Sequence, residues 1–130
     1  MNKPKANKLY LEWFEKGEHD LDSALVLFEN NGYADTICFL CQQAAEKYLK
    51  GYLQYNKSEP PKIHSLPALL RLCAQFNKDL LGFIDEVKRL DKYYIDTRYP
   101  LGSPVEYSKE EAKDAIDSAR GIVDLILKSV

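Results

Sequence analysis

Little in this sequence invites covalent or metal cross-linking. Three cysteines, an odd number, stand among 130 residues, and no charged start followed by an apolar stretch and a small-residue cleavage site precedes them. Those absences exclude a disulfide framework and lead to the expectation of a reducing, cytoplasmic setting. Cys38-Phe39-Leu40-Cys41 has redox-pair spacing, yet it lies inside an apolar helical run, where cysteine serves as a small buried hydrophobe. Zinc would need two further ligands, with Cys73 and His64 the remaining choices, and no second close pair completes a usual spacing. No metal and no cofactor is expected. Apolar runs near the roughly 18–20 residues of a membrane span are also missing. Charge of one sign is lacking too: 18 Lys and Arg against 20 Asp and Glu leave a net charge of −2. A broad basic field for non-specific nucleic-acid binding is thereby excluded, and contact with RNA or a nucleotide has to be local. Neither Gly-x-Gly-x-x-Gly nor Gly-Lys-Ser/Thr occurs, which removes both standard phosphate cradles.

What is present is helical periodicity in a chain 45% hydrophobic and 29% charged, long enough for residues 1–130 to form one domain that buries roughly two-thirds of its unfolded surface. From about Ala6 to Asn30, Tyr10, Trp13, Phe14, Leu21, Ala24, Leu25 and Phe28 recur at helical spacing, and Asn30-Asn31-Gly32 is a stop. A second pattern runs from about Ala34 to Asn56, with Ile37, Cys41, Ala44, Ala45, Tyr48 and Tyr52 on one side, and ends before Pro60-Pro61. Ser65 is an N-cap for a short third helix carrying Leu66, Leu69, Leu70 and Cys73. The fourth spans about Asp79 to Thr97, because Pro100 disfavours helical geometry at Tyr99. After the loop Tyr99–Tyr107, Ser108-Lys109-Glu110-Glu111 has the form of a capping box and opens a helix that reaches Ile126. With no convincing strand, the fold class is all-α: an up-and-down bundle of four long helices plus one short helix.

Two groups of residues do not fit a plain bundle. On the fourth helix, Phe83, Ile84, Val87, Leu90 and Tyr94 make one apolar arc, and Asp91 and Arg98 fall inside it. Charges taken out of water need partners, so this face either carries a structural ion pair or lines a wet cleft. The pair is seven residues apart, about 10.5 Å along the axis, so a direct bond would require Arg98 to reach back. On the second helix, Gln43, Glu46, Lys47, Lys50, Gln54 and Lys57 share a stripe. Its lysines suit a phosphate, and equally a solvated face with a Glu46–Lys50 ion pair. His64 stands before the third helix, either a proton-transfer group or a loop histidine bonded to backbone or water. His19, between Glu18 and Asp20, reads as solvated surface.

Three blocks in order, Gln42-Gln43-Ala44-Ala45-Glu46-Lys47-Tyr48-Leu49-Lys50, His64-Ser65-Leu66 and Asp91-x-x-Tyr94-x-x-x-Arg98-Tyr99-Pro100, resemble the prokaryotic HEPN domain across nearly the whole chain. The resemblance implies a bundle that usually dimerises and works with nucleotides or RNA, often beside a minimal nucleotidyltransferase, sometimes as a toxin–antitoxin pair. It implies that Lys47, Lys50, His64, Asp91, Tyr94 and Arg98 lie near the pocket. HEPN ribonucleases carry an arginine followed after four to six residues by histidine; here Arg98 is followed by Tyr99, Pro100, Leu101, Gly102, Ser103, Pro104 and Val105. The usual general acid/base is therefore missing, and only His64 is left to stand in for it.

The leading expectation is a nucleotide- or RNA-phosphate-binding module, dimeric, with Arg98 as anchor and Lys47, Lys50 and His64 assisting. The alternatives are an atypical metal-independent endoribonuclease using His64 and Arg98, and a purely structural helical subunit. The aromatic excess of nine Tyr, five Phe and one Trp on amphipathic helices favours a homodimer.

Overall fold

The computed structural model describes residues 8–100 and 106–130, and every regular element among them is helical. In chain order these are α1 (Leu9–Glu29), α2 (Ala34–Tyr55), α3 (Leu66–Ala74), a 3-10 turn (Lys78–Phe83), α4 (Ile84–Asp91), α5 (Tyr93–Asp96) and α6 (Lys109–Lys128). The expected start of the first helix at Ala6, and residues 101–105 of the loop Tyr99–Tyr107, lie outside the described residues.

The stop after α1 is a Schellman closure. Asn31 adopts φ 57°, the Gly32 N–H donates to the Leu27 carbonyl at 2.6 Å, and the Asn31 N–H donates to Phe28. A Cβ on Gly32 would come within 2.7 Å of Leu27, so the closure requires glycine there. α1 and α2 then pack closely because each offers a glycine to the other's aromatic ring. Gly17 faces Tyr48 and Gly51 faces Phe14, while Phe14 and Tyr48 stack at 5.1 Å.

α2 is the central element, in contact with α1, α3, α4, α5 and α6. That position corrects the reading of its polar stripe as a solvated face. Glu46 and Lys50 form the expected ion pair, but each is only 6% exposed, and Gln42 is fully buried. A helix packed on so many sides buries the middle of its polar stripe, while Gln43, Lys47 and Gln54 stay partly in water.

The single fourth helix expected from Asp79 to Thr97 is divided. Asn77 caps the 3-10 turn by accepting from the Asp79 N–H at 3.0 Å, and a turn at Lys92 separates α4 from α5. Leu80, Val87, Leu90 and Tyr93 are the buried residues of this stretch, with Tyr94 only half-buried. Leu80, Val87 and Leu90 keep helical spacing, and the change from Leu90 to Tyr93, across the turn at Lys92, is where the buried line departs from one straight helix. The Tyr93 hydroxyl donates to Glu111 Oε2 at 2.6 Å, which draws this residue inward and rotates Tyr94 out of the apolar arc. Burial, then that hydrogen bond, raises the phenol's pKa and keeps it a donor.

Ser65 caps α3 through the Ala68 N–H, and Ser108 caps α6 through the Glu111 N–H. The reciprocal arm of the capping box is redirected, since the Glu111 carboxylate takes Tyr93 and, at 3.7 Å, Lys92.

Candidate functional site

Glu46 organises the site, although the sequence singled out its neighbours. From the middle of α2 its Oε1 accepts from Gln42 Nε2 at 3.2 Å, and its Oε2 meets Lys50 Nζ at 3.0 Å and His64 Nδ1 at 2.9 Å. A buried carboxylate costs several kcal/mol unless its lone pairs are used and its charge is offset, and here both conditions are met. The pairing on Nδ1 has a chemical consequence. In the neutral ring the proton sits on the nitrogen facing the carboxylate, which leaves Nε2 as an acceptor on a side chain that is 51% exposed.

Three constraints hold His64 there. The Leu66 N–H, two residues on, donates to Asp91 Oδ1 at 2.8 Å; Ser65 closes the first turn of α3; and the imidazole stacks on Tyr94, with ring centroids 4.4 Å apart and planes 16° from parallel. Asp91 and Arg98 therefore do not form the structural ion pair that the sequence allowed. Asp91 ties the end of α4 to the start of α3, and thus acts on His64 through the backbone.

Arg98 follows α5, its N–H donating to the Ile95 carbonyl at 3.1 Å. Its guanidinium carbon lies 4.9 Å from the Tyr94 ring, 5.4 Å from Tyr99 and 5.6 Å from Phe39. The side chain is exposed and forms no ion pair among the described residues. Aromatic rings attract a guanidinium without consuming its N–H donors, so Arg98 is held in place and left free to pair with an anion.

Of the six residues expected near one pocket, His64, Tyr94 and Arg98 form a continuous stack, and Lys50 joins it through Glu46. Lys47 does not, because its ammonium pairs with Asp20 on α1 at 2.5 Å. Glu46 as the organising group, and Phe39, escaped sequence reasoning. The signal for Glu46 was its place four residues before Lys50; Phe39 carried none beyond apolar character. The cysteines are buried as expected, and burial pushes the thiols of Cys38 and Cys73 up to about 12 and raises Cys41 as well. None is a nucleophile near neutral pH. His19 is exposed.

Similarity to known proteins places the chain in a family. The family model described as HEPN domain matches residues 10–130. A proposed toxin of Methanocaldococcus jannaschii, MJ1304, is 27% identical over 128 residues, covering 88% of this chain and 83% of that protein. The crystal structure of TT1696 from Thermus thermophilus superposes with a TM-score of 0.78 at 32% identity, over 100% of both chains. That of ST0689, an archaeal HEPN homologue, gives 0.75 at 29% identity, over 92% of this chain and 95% of the other.

Proposed function

Since this chain belongs to the HEPN domain family, we propose that it is a helical-bundle module that binds the phosphate of a nucleotide or RNA, in a system of toxin–antitoxin type with a minimal nucleotidyltransferase as protein partner. The observation that carries this reading is Arg98: an exposed guanidinium braced by three aromatic rings, with no acidic partner among the described residues. Its planar fork matches two phosphate oxygens. His64 assists from across Tyr94 and Lys50 from behind Glu46. Lys47, held by Asp20, contributes to the field and does not touch the ligand. The toxin reading is supported by the name of the Methanocaldococcus relative. Calorimetric titration with ATP, GTP and AMP tests the proposal. Saturable binding that Arg98→Ala weakens about tenfold or more is expected, the usual size for one charge-assisted contact; binding unaffected by Arg98→Ala overturns it, and no binding at all favours a purely structural subunit.

One observation favours a second reading. His64, the one histidine able to replace the missing partner of Arg98, stacks on the same Tyr94 ring that Arg98 covers. Its exposed Nε2 is suited to take a proton from a ribose 2′-hydroxyl while Arg98 stabilises charge on phosphate. RNA cleavage by the purified protein, abolished by both His64→Ala and Arg98→Ala, would replace the binding-only reading with a ribonuclease.

A further inference from the structure

We infer that a groove beside the Glu46 cluster is a base subsite selective for guanine; this rests on the nucleotide reading above and extends it from phosphate to base. A cavity of about 280 Å3 has Trp13, Lys50, Gln54, Glu59, Pro60 and Pro61 in its wall. The indole and the two prolines supply flat apolar surface, the kind on which a planar ring stacks.

Polar groups in the wall narrow the choice of ring. Lys50 is almost wholly buried, and its ammonium lies 5.7 Å from the Trp13 centroid. Of its three N–H donors one goes to Glu46, the only acceptor it has among the described residues. A buried ammonium with donors to spare calls for an acceptor, and a ring carbonyl oxygen meets that need. Glu59, by contrast, only accepts when ionised, so it calls for ring N–H groups. Guanine carries both on one edge: the O6 acceptor beside the N1–H and N2–H2 donors. Adenine presents an amine where guanine has O6, which sets donor against donor at Lys50. Uracil and cytosine offer smaller rings to stack. Lys50 and His64 meet at the same carboxylate oxygen of Glu46, so a base in this groove has its own phosphate within a nucleotide's length of the His64 and Arg98 stack.

Trp13 is the chain's one tryptophan; it lines this groove and also a shallower one with Leu9, Glu12 and Lys16, so the Glu59 and Lys50 variants assign its emission change to this groove. The full chain is titrated with guanosine, adenosine and GMP while indole fluorescence is followed. Guanosine is expected to quench saturably, with an affinity at least about tenfold above that of adenosine, and GMP to bind more tightly than guanosine. Glu59 is exposed, so Glu59→Ala leaves the fold intact; it should weaken guanosine about tenfold while leaving adenosine unchanged, so that the preference narrows to what Lys50 alone maintains. Lys50→Met should abolish the response, with circular dichroism checking that the helices remain. Equal affinities for guanosine and adenosine in the native protein, or a guanine preference undiminished by Glu59→Ala, overturn the inference. The two readings fail separately. Arg98-dependent calorimetric binding of ATP without any saturable quenching by guanosine removes the base subsite and keeps the phosphate site, whereas guanosine quenching without Arg98-dependent binding does the reverse.

Discussion

Two helices end in the same hydrogen-bond pattern on residues of different aptitude. α1 closes on Asn31 at φ 57°, and α2 closes on Lys57 at φ 62°, with Ser58 N–H donating to Leu53 and Lys57 N–H to Gln54. Asparagine tolerates the left-handed region, but a lysine there brings its Cβ against the neighbouring carbonyl at a cost of about 1 kcal/mol or more. Lys57 is exposed, forms no ion pair among the described residues, and gives nothing visible in return. Lys57→Gly is therefore expected to stabilise the fold by about 0.5–1 kcal/mol, the strain removed exceeding the entropy glycine adds to the unfolded chain. Urea denaturation checks this, with a raised midpoint at unchanged slope the expected result. A lowered midpoint would mean that the lysine side chain has a stabilising contact after all.

At the scale of elements, the junction between α3, α4 and α5 depends on one carboxylate. Asp91 accepts from the first N–H of α3 while α4 ends at that same residue and α5 begins two residues later. Losing an N-terminal acceptor costs about 0.5–2 kcal/mol, so Asp91→Ala should lower stability by that amount. Asp91→Asn keeps a carbonyl oxygen in place and should recover most of the loss, leaving only the charge–dipole part. Thermal denaturation of both variants tests the assignment; equal damage from the two would show that charge, not the hydrogen bond, is what the junction needs. This junction also shows where sequence reading stops. The long helices and their caps were legible because Ser65, Ser108 and Asn31-Gly32 act within their own segments, and periodicity extends over about six turns in α1, α2 and α6. The division of the fourth helix was not, because it is imposed from outside by a contact of Tyr93 with Glu111, eighteen residues along. The burial of Glu46 and Lys50 was hidden for the same reason: period identifies a polar stripe, and only topology decides whether another helix covers it.

For the whole molecule, the segment carrying Arg98 is also where apolar surface remains uncovered. Ile95 and Tyr99, three residues before and one after Arg98, are 49% and 53% exposed, and Tyr33 at the start of α2 is 83% exposed. The sequence singled out Arg98 as a charge on an apolar arc, but the folded chain leaves it exposed beyond the end of α5, and its aromatic bracing by Phe39 was not legible, since α2 and α5 meet only in the folded chain. Aromatic and aliphatic side chains left in water on either side of this arginine favour a second protein surface there, and a symmetric pairing of two copies would cover both at once. We therefore predict a homodimer whose interface includes Ile95 and Tyr99. Light scattering at micromolar concentration should give twice the 15.0 kDa chain mass, and Ile95→Glu, which buries a charge against apolar surface if the interface forms, should shift the population to monomer with helix content unchanged. A native protein that is monomeric at that concentration defeats the prediction. A dimer indifferent to Ile95→Glu would move the interface away from Arg98, leaving that guanidinium open to ligand from all sides.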